Sequence, residues 1–218
     1  PDGLPVEFYK IFFEDLIGHI IKVFEYIRDN NLVPVSITEA VTVLIQKDGD
    51  KTDPSNPISL LNADYKWLMK YINEFFVQPR LGSIITKDQL CAIKGRSIHD
   101  GLCSFRDLIE YSQTADCDTY IVSLDQRKAF DLVSHDILFS AMEHFKLPKA
   151  VFSLVRTLYR DVTTRISVNW QLSGELQIER GVRQDCPLSA SLYVIYLQLL
   201  SYILDRNDVV KGIKVPGE

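Results

Sequence analysis

Apolar residues recur at every third or fourth position along several stretches of this chain, which is the spacing of an amphipathic helix. The first stretch, residues 6–29, ends at Asn30 and Asn31, a pair that favours a helix terminus. Its apolar face carries Phe8, Phe12, Leu16, Ile20, Phe24 and Ile27. The same spacing predicts further helices over residues 62–76, 98–112, 135–145, 149–159 and 187–203.

Period-two alternation and β-branched runs predict strands elsewhere in the chain. Residues 42–45 (TVLI) form a short β-branched run, and residues 120–124 (YIVSL) have the composition of a buried strand. Residues 165–170 and 176–179 alternate apolar and polar side chains around a connection that contains Gly174. This alternation predicts a hairpin.

A polar break at residues 115–118 (ADCD) divides the predicted elements into two groups. Before the break the order is helix, strand, helix, helix, with a polar loop at residues 51–57, which hold two prolines. After the break the order is strand, helix, helix, hairpin, helix. We therefore predict a mixed α/β chain of two packed subdomains.

The composition is that of an ordinary globular protein, because 46% of the 218 residues are apolar and 24% are charged. A net charge of −5 excludes a uniformly basic surface but is compatible with a basic cleft. The four cysteines form no Cys-x-x-Cys pair, and no apolar run approaches the ~20 residues of a membrane span. We therefore expect an intracellular protein with reduced thiols and no membrane contact.

The most specific candidate for chemistry is Asp125, which follows directly after the predicted strand at residues 120–124. A carboxylate at the end of a strand lies at the rim of a sheet, where a ligand can reach it. Its oxygens suit a hard cation such as Mg²⁺. Asp131 follows six residues later, but a strand-end carboxylate and a helix-start carboxylate explain both residues without any metal. One carboxylate alone does not make a two-metal site.

Two basic segments are candidates for phosphate contacts. Residues 180–184 (RGVRQ) lead into the N-terminus of a predicted helix, where arginine and glutamine side chains can hold a phosphate or a base edge. Lys94 and Arg96 form a smaller basic patch that could contact a nucleic-acid backbone. Each segment also fits an ordinary solvated surface. None of the four histidines is expected to act as a metal ligand or a base.

Five segments, taken in order, carry a resemblance to a known family. They are residues 1–10 (PDGLPVEFYK), 56–66 (NPISLLNADYK), 95–100 (GRSIHD), 124–131 (LDQRKAFD) and 180–189 (RGVRQDCPLS). Their order and their sequences resemble those of LINE-type (non-LTR) retrotransposon reverse transcriptases, in which the last two segments are motifs A and B. Group II intron maturases and telomerases share this core, but the opening segment argues against them.

The resemblance implies a right-hand polymerase core of the α/β (α+β) class. Helical fingers with a short sheet would occupy residues 1–115, and a partial palm would occupy residues 116–218, together forming one truncated reverse transcriptase domain. Motif C of the family, an aromatic-x-Asp-Asp hairpin, has no counterpart in the chain. We therefore expect an unpaired edge in the palm sheet and poor solubility.

The resemblance also implies roles for individual residues. Asp125 would be the catalytic residue and would bind both Mg²⁺ ions of the family enzyme, with Gln126 helping to hold one of them. Phe130 would lie under the sugar of the incoming nucleotide and exclude a 2′-hydroxyl group. The implied nucleotide-binding residues are Lys47, Gln126, Phe130 and Gln184, and the nucleic-acid-binding residues are Lys94, Arg96 and Arg183. The implied partners are an RNA template, a DNA primer, deoxynucleoside triphosphates and the remainder of a polyprotein, in the cytoplasm and nucleus.

Several positions depart from the family pattern. Asp185 stands in place of a motif B glycine, where it either adds a negative charge facing phosphates or caps the following helix. An aromatic residue and an arginine that the family usually has between Asn56 and Pro57 are missing. The other departures are Trp170, Phe75 and Gln46, in place of a turn glycine, an arginine and a proline. Without motif C, we expect no polymerase activity from these residues alone. The alternative function is that of a non-catalytic nucleic-acid-binding or scaffold remnant of a decayed element.

Overall fold

The computed structural model describes residues 2–45, 56–115, 118–160, 162–209 and 212–213. Helices and a small sheet alternate along these residues, which confirms the mixed α/β character predicted from the sequence. The helices are α1 (Val6–Ile11), α2 (Phe13–Asn30), α3 (Val35–Thr38), α4 (Ala63–Ile72), α5 (Gln78–Ile84), α6 (Ile98–Thr114), α7 (His135–His144), α8 (Lys149–Leu158) and α9 (Ser189–Asp205). The strands are β1 (Ala40–Ile45), β2 (Asn56–Leu61), β3 (Thr163–Val168), β4 (Gln171–Leu172) and β5 (Leu176–Gln177).

Strands from distant parts of the chain form one sheet in the order β2-β1-β3-β4, and β5 also pairs with β3. β1 is antiparallel to β2 and parallel to β3. The hydroxyl oxygens of Thr42 and Thr164 lie 2.8 Å apart in the buried layer between β1 and β3. This sheet therefore joins strands from both sides of the break predicted at residues 115–118, and the division into fingers and palm stays a prediction.

β2 begins inside the segment that the sequence predicts to be a loop, whose residues 51–55 lie outside the described residues. The strand accommodates Pro57 because β2 is an edge strand, in which a missing N–H need not break a ladder. Pro57 lies opposite Leu44 of β1. The loop prediction was wrong for Asn56 and Pro57, because an edge strand tolerates a proline.

The predicted hairpin is confirmed, but its turn lies earlier than the sequence suggests. β3 ends at Val168, and Asn169 and Trp170 form a two-residue turn with φ angles of 50° and 65°. Two positive φ angles are the signature of the turn that fits the twist of a tight hairpin, and glycine is favoured there. The alternation predicted that Trp170 would be the last residue of a strand, but Trp170 lies in the turn and is fully exposed.

The predicted helices are present, with shifted boundaries and one interruption. The first predicted helix is divided at Phe12 into α1 and α2. α2 ends at Asn30, and the residue that caps it, Asn31, has a left-handed φ of 51°. The helix predicted over residues 62–76 continues from α4 through a π-helical turn (Asn73–Val77) into α5. The buried faces of α4 and α5 join α7, α8 and α9 in one hydrophobic core. The fully buried members of this core include Met69, Leu81, Leu138, Met142, Leu158, Leu192 and Ile195.

The buried strand predicted at residues 120–124 is wrong, because these residues have no regular structure and are exposed. Tyr120 is 89% exposed and Val122 is 76% exposed. A strand needs a neighbouring strand to satisfy its backbone, and within the described part of the chain none lies beside this segment. The preceding helix α6 is also open to solvent, since it contains no buried residue.

Cys91, Cys103 and Cys186 are free thiols, and Cys117 lies outside the described residues. Within the described ranges, no helix combines the length and the apolar character that crossing a membrane would require.

Candidate active site

The motif A residues turn sharply just after Asp125 and Gln126. Lys128 has a φ of 48°, and its carbonyl accepts hydrogen bonds from the N–H groups of Asp131 and Leu132 at 3.0 and 3.1 Å. This turn carries the chain from the exposed segment into the core, so that Phe130 is half-buried while Asp125 stays exposed.

The motif B residues run alongside the end of this turn. The N–H of Gly181 donates to the carbonyl of Val133 at 2.8 Å, and the N–H of Val182 donates to the carbonyl of Phe130 at 2.8 Å. Gly181 has a φ of 93°, and a Cβ at this position would lie only 2.9 Å from the carbonyl oxygen of Asp131. Only glycine therefore allows the two motifs to approach this closely.

Tyr193 of α9 connects the motif A side chains. Its hydroxyl donates to Oε1 of Gln126 at 2.7 Å, and its ring meets the ring of Phe130 edge-on with centroids 5.1 Å apart. Burial raises the pKa of the Tyr193 phenol, as do the neighbouring Tyr196 and the negative charge of Asp125. The carboxylate of Asp125 thus acts electrostatically on the same tyrosine that contacts Gln126 and Phe130.

Gln184 of motif B completes this group of side chains. Its amide Nε2 donates to Oδ1 of Asp131 at 3.2 Å. Four residues that the sequence singles out, Asp125, Gln126, Phe130 and Gln184, are therefore linked through Tyr193, Asp131 and the paired backbones of the two motifs. Their individual roles toward a nucleotide stay predictions.

Two further residues of motif B have environments that the sequence does not reveal. Arg183 is only 5% exposed, its guanidinium lies over the ring of Tyr65 at 5.2 Å, and Nη2 donates to the carbonyl of Thr38 at 2.5 Å. Asp185 has a φ of 73°, and its carboxylate forms an ion pair with Lys66 of α4. Arg183 therefore connects motif B to the start of the sheet, and Asp185 connects it to α4.

A family model described as reverse transcriptase (RNA-dependent DNA polymerase) matches residues 45–210. The chain belongs to the reverse transcriptase family. The LINE-type resemblance predicted from the five motifs is confirmed, because the relatives found are retrotransposon proteins.

A transposon TX1 uncharacterized 149 kDa protein of Xenopus laevis is 33% identical over 217 residues, which cover 99% of this chain and 16% of that protein. A Pol polyprotein from the type-1 retrotransposable element R2 of Popillia japonica is 33% identical over 187 residues, which cover 83% of this chain and 25% of that protein. A corresponding R2 polyprotein of Nasonia vitripennis is 25% identical over 212 residues, which cover 95% of this chain and 20% of that protein. The chain thus spans a quarter or less of the length of these relatives.

The basic patch of this reverse transcriptase chain is partly used by the fold itself. Nη1 of Arg96 donates to the carbonyls of Thr86 and Gln89, and Nη2 donates to that of Ile85. Lys94 is exposed, at the rim of a cleft of about 860 Å³ between α5 and the start of α9. Lys94 is thus the more accessible cation of the patch, and the predicted nucleic-acid contact of both residues stays a prediction. Lys47 lies outside the described residues.

The described residues of this reverse transcriptase segment do not by themselves supply the ligands for a pair of Mg²⁺ ions. Asp125 offers one exposed carboxylate, while the carboxylate of Asp131 accepts the amide of Gln184. Across the described ranges, no group of three or more His, Cys, Asp or Glu side chains could hold a metal ion. A two-metal site needs several oxygen ligands around two cations.

Three positioning residues are not found by sequence reasoning. Gly181 could have been identified from its place just after the predicted strand at residues 176–179, where a glycine indicates a close backbone approach. Tyr193 is hidden among the apolar positions of α9, and His135 gives no local signal. Nε2 of His135 lies 2.8 Å from the carbonyl oxygen of Gly181, so this histidine helps to hold the two motifs together.

Proposed function

We propose that this chain forms part of the nucleotide-binding and template-binding site of an RNA-directed DNA polymerase. One observation carries the proposal: Tyr193 brings Gln126 and Phe130 together beside the charge of Asp125. Phosphoryl transfer depends on positioning and on charge neutralisation rather than on covalent chemistry by the protein. A carboxylate, an amide and an aromatic ring that share one support therefore suit the reaction of this family.

In this proposal Phe130 and Gln184 contact the incoming deoxynucleoside triphosphate. The Phe130 ring is fixed from one side by Tyr193 and by the backbone bond to Val182. A ring held in this way can exclude a 2′-hydroxyl group by steric contact. Gln184 is oriented by Asp131, which leaves its carbonyl oxygen available to a base or a sugar.

The finer architecture belongs to the same proposal. Helical fingers over residues 1–115 and a partial palm over residues 116–218 would hold an RNA template and a DNA primer between them. The small mixed sheet and the surrounding helices support this arrangement. An intracellular location, with roles in the cytoplasm and the nucleus, follows from the same reasoning.

Magnesium would supply charge neutralisation in the complete family enzyme, and Asp125 would be one of its ligands. Because the described residues do not provide the other carboxylates, we propose that this chain alone binds nucleic acid and nucleotide but does not extend a primer.

The test uses the purified full chain and a fluorescent RNA template annealed to a DNA primer. We expect an increase in anisotropy on binding, and no primer extension with Mg²⁺ and all four deoxynucleoside triphosphates. Added nucleotide should prolong the lifetime of the complex between the chain and the RNA–DNA duplex. Gln184→Ala should reduce this effect, whereas the same substitution at Gln177, an exposed glutamine of β5, should not. Absence of RNA–DNA binding would refute the binding proposal, and measurable primer extension would refute the proposed inactivity.

The second candidate is a non-catalytic scaffold remnant of a decayed element. It is favoured by Asp185 and Trp170, which occupy left-handed backbone positions that suit glycine. The same anisotropy assay separates the two candidates, since a scaffold without a working site would bind RNA–DNA without any response to nucleotide or to Gln184→Ala.

A further inference from the structure

An ion pair connects motif B to α4 on the exposed side of the candidate site. Nζ of Lys66 lies 2.5 Å from Oδ2 of Asp185, and the two side chains are 33% and 43% exposed. The residues are 119 positions apart in the sequence, so the contact is a tertiary one between two elements. Asp185 directly follows Gln184, which contacts motif A.

The backbone of Asp185 is held in a conformation that most side chains avoid. Its φ of 73° lies in the left-handed region, where glycine has no steric penalty and aspartate and asparagine are the best tolerated of the other residues. α9 begins at Ser189 with Leu188 as its N-cap residue, so Asp185 precedes the cap position, and its carboxylate bonds to Lys66. The capping alternative for Asp185 is therefore not supported, and its observed partner is Lys66.

The other charged groups near Lys66 do not compete for its ammonium group. Oδ1 of Asp64 accepts the N–H of Tyr65 at 2.7 Å, and Oδ1 of Asp2 accepts the N–H of Leu4 at 3.0 Å. The guanidinium of Arg183 is buried over Tyr65 and is not presented at the surface. Lys66 is thus a partly exposed cation beside the candidate site, and Asp185 neutralises it.

We infer that Lys66 is a phosphate-binding residue whose ammonium group is occupied in this chain by the carboxylate of Asp185, in place of a nucleic-acid phosphate. This inference rests on the proposed function, because the phosphate is that of the RNA–DNA substrate. The side chain of Asp185 is tethered next to Lys66, so any phosphate must displace it before it can bind. Asp185 thereby lowers the affinity of this surface for nucleic acid.

The test measures the affinity of the full chain for an RNA–DNA template–primer over a series of salt concentrations. Asp185→Asn removes the charge but keeps a residue that tolerates the left-handed backbone. It should tighten binding about three- to tenfold at low salt and steepen the plot of log K against log salt by about 0.7 to 0.9, the value of one added phosphate contact. Lys66→Gln combined with Asp185→Asn should lose both effects.

Asp29→Asn is the matched control. Asp29 pairs with Arg28 at 2.7 Å at the end of α2, both side chains are exposed, and the substitution changes the net charge by the same amount. A gain in affinity as large in this control, or a gain that persists with Lys66→Gln, would overturn the inference. Unchanged binding by Asp185→Asn and also by Asp185→Gly would overturn it as well.

The proposed function and this inference fail in different ways. If neither the wild-type chain nor Asp185→Asn binds RNA–DNA, the proposed function is wrong and the inference falls with it. If the wild-type chain binds and the variants bind equally well, only the inference is wrong. Circular dichroism melting of each variant verifies that the proteins compared are folded.

Discussion

The segment that leads into motif A and the segment at the end of motif A lie in opposite environments. Residues 120–126 are exposed and lack regular structure, although residues 120–124 have the composition of a buried strand. Residues 130–134 are less strand-like but are held by backbone bonds to Gly181 and Val182. The difference shows that β-propensity measures how well a residue fits a sheet surface and that a paired neighbour is required as well.

The strongest test of this comparison is a substitution on the held side. Gly181→Ala should destabilise the protein by about 3 kcal/mol, because a positive φ and a Cβ 2.9 Å from the Asp131 carbonyl both oppose it. Chemical denaturation followed by circular dichroism measures the change. Gly174→Ala is the control, since no atom lies within 4 Å of a Cβ there, and equal losses in both variants would contradict the proposed close approach.

High pH should destabilise the protein through the tyrosine phenols that are buried in its core. Burial raises the pKa of the Tyr65 and Tyr159 phenols above their usual value of 10, with Cys186 contributing next in both cases. Because the folded-state pKa is the higher one, this contribution to stability is complete below pH 10 and is lost as pH rises above 10. The loss is about 1.4 kcal/mol per pH unit for each tyrosine.

The measurement is the free energy of unfolding at pH 8, 10 and 11. Tyr159→Phe should make the decline shallower, whereas Tyr26→Phe, an exposed tyrosine of α2, should leave it unchanged. An identical pH profile in Tyr159→Phe would show that this phenol does not contribute.

The connection between the two environments is Tyr193. Tyr193→Phe should cost about 0.5 to 1 kcal/mol, because it removes the hydrogen bond to Gln126 and keeps the ring contact with Phe130. Hydrogen exchange should then accelerate at the N–H groups of Asp131 and Leu132, which donate to the carbonyl of Lys128 in the motif A turn, and stay unchanged at residues 181–183. Faster exchange at both places would indicate that the tyrosine supports both motifs and not motif A alone.

The smallest effect is expected in the exposed segment. Val122→Thr should change the free energy of unfolding by less than about 0.5 kcal/mol, since the side chain is already in solvent. A loss above 1 kcal/mol would mean that residues 120–124 are packed in solution.

Periodicity predicted most of the helices because the residues that they bury recur at helical spacing, as Tyr65, Leu68 and Ile72 do in α4. It also predicted α6, although none of the residues of that helix is buried. The strand at residues 120–124 could not be assessed in this way, since its formation depends on a partner elsewhere. The sequence motifs placed Asp125, Phe130 and Gln184 near one another. They did not reveal the burial of Arg183, the ion pair of Asp185 or the supporting role of Tyr193, which all depend on distant residues.

The turn at Asn169 and Trp170 has a practical consequence for spectroscopy. The protein has two tryptophans, and Trp170 projects fully into water while Trp67 packs against Tyr9 and Phe13. Emission from the Trp170 indole should resemble that of an unfolded chain from the outset and should be quenched readily by iodide. Intrinsic fluorescence will therefore report the packing of α1, α2 and α4 around Trp67 and will remain nearly silent about the hairpin.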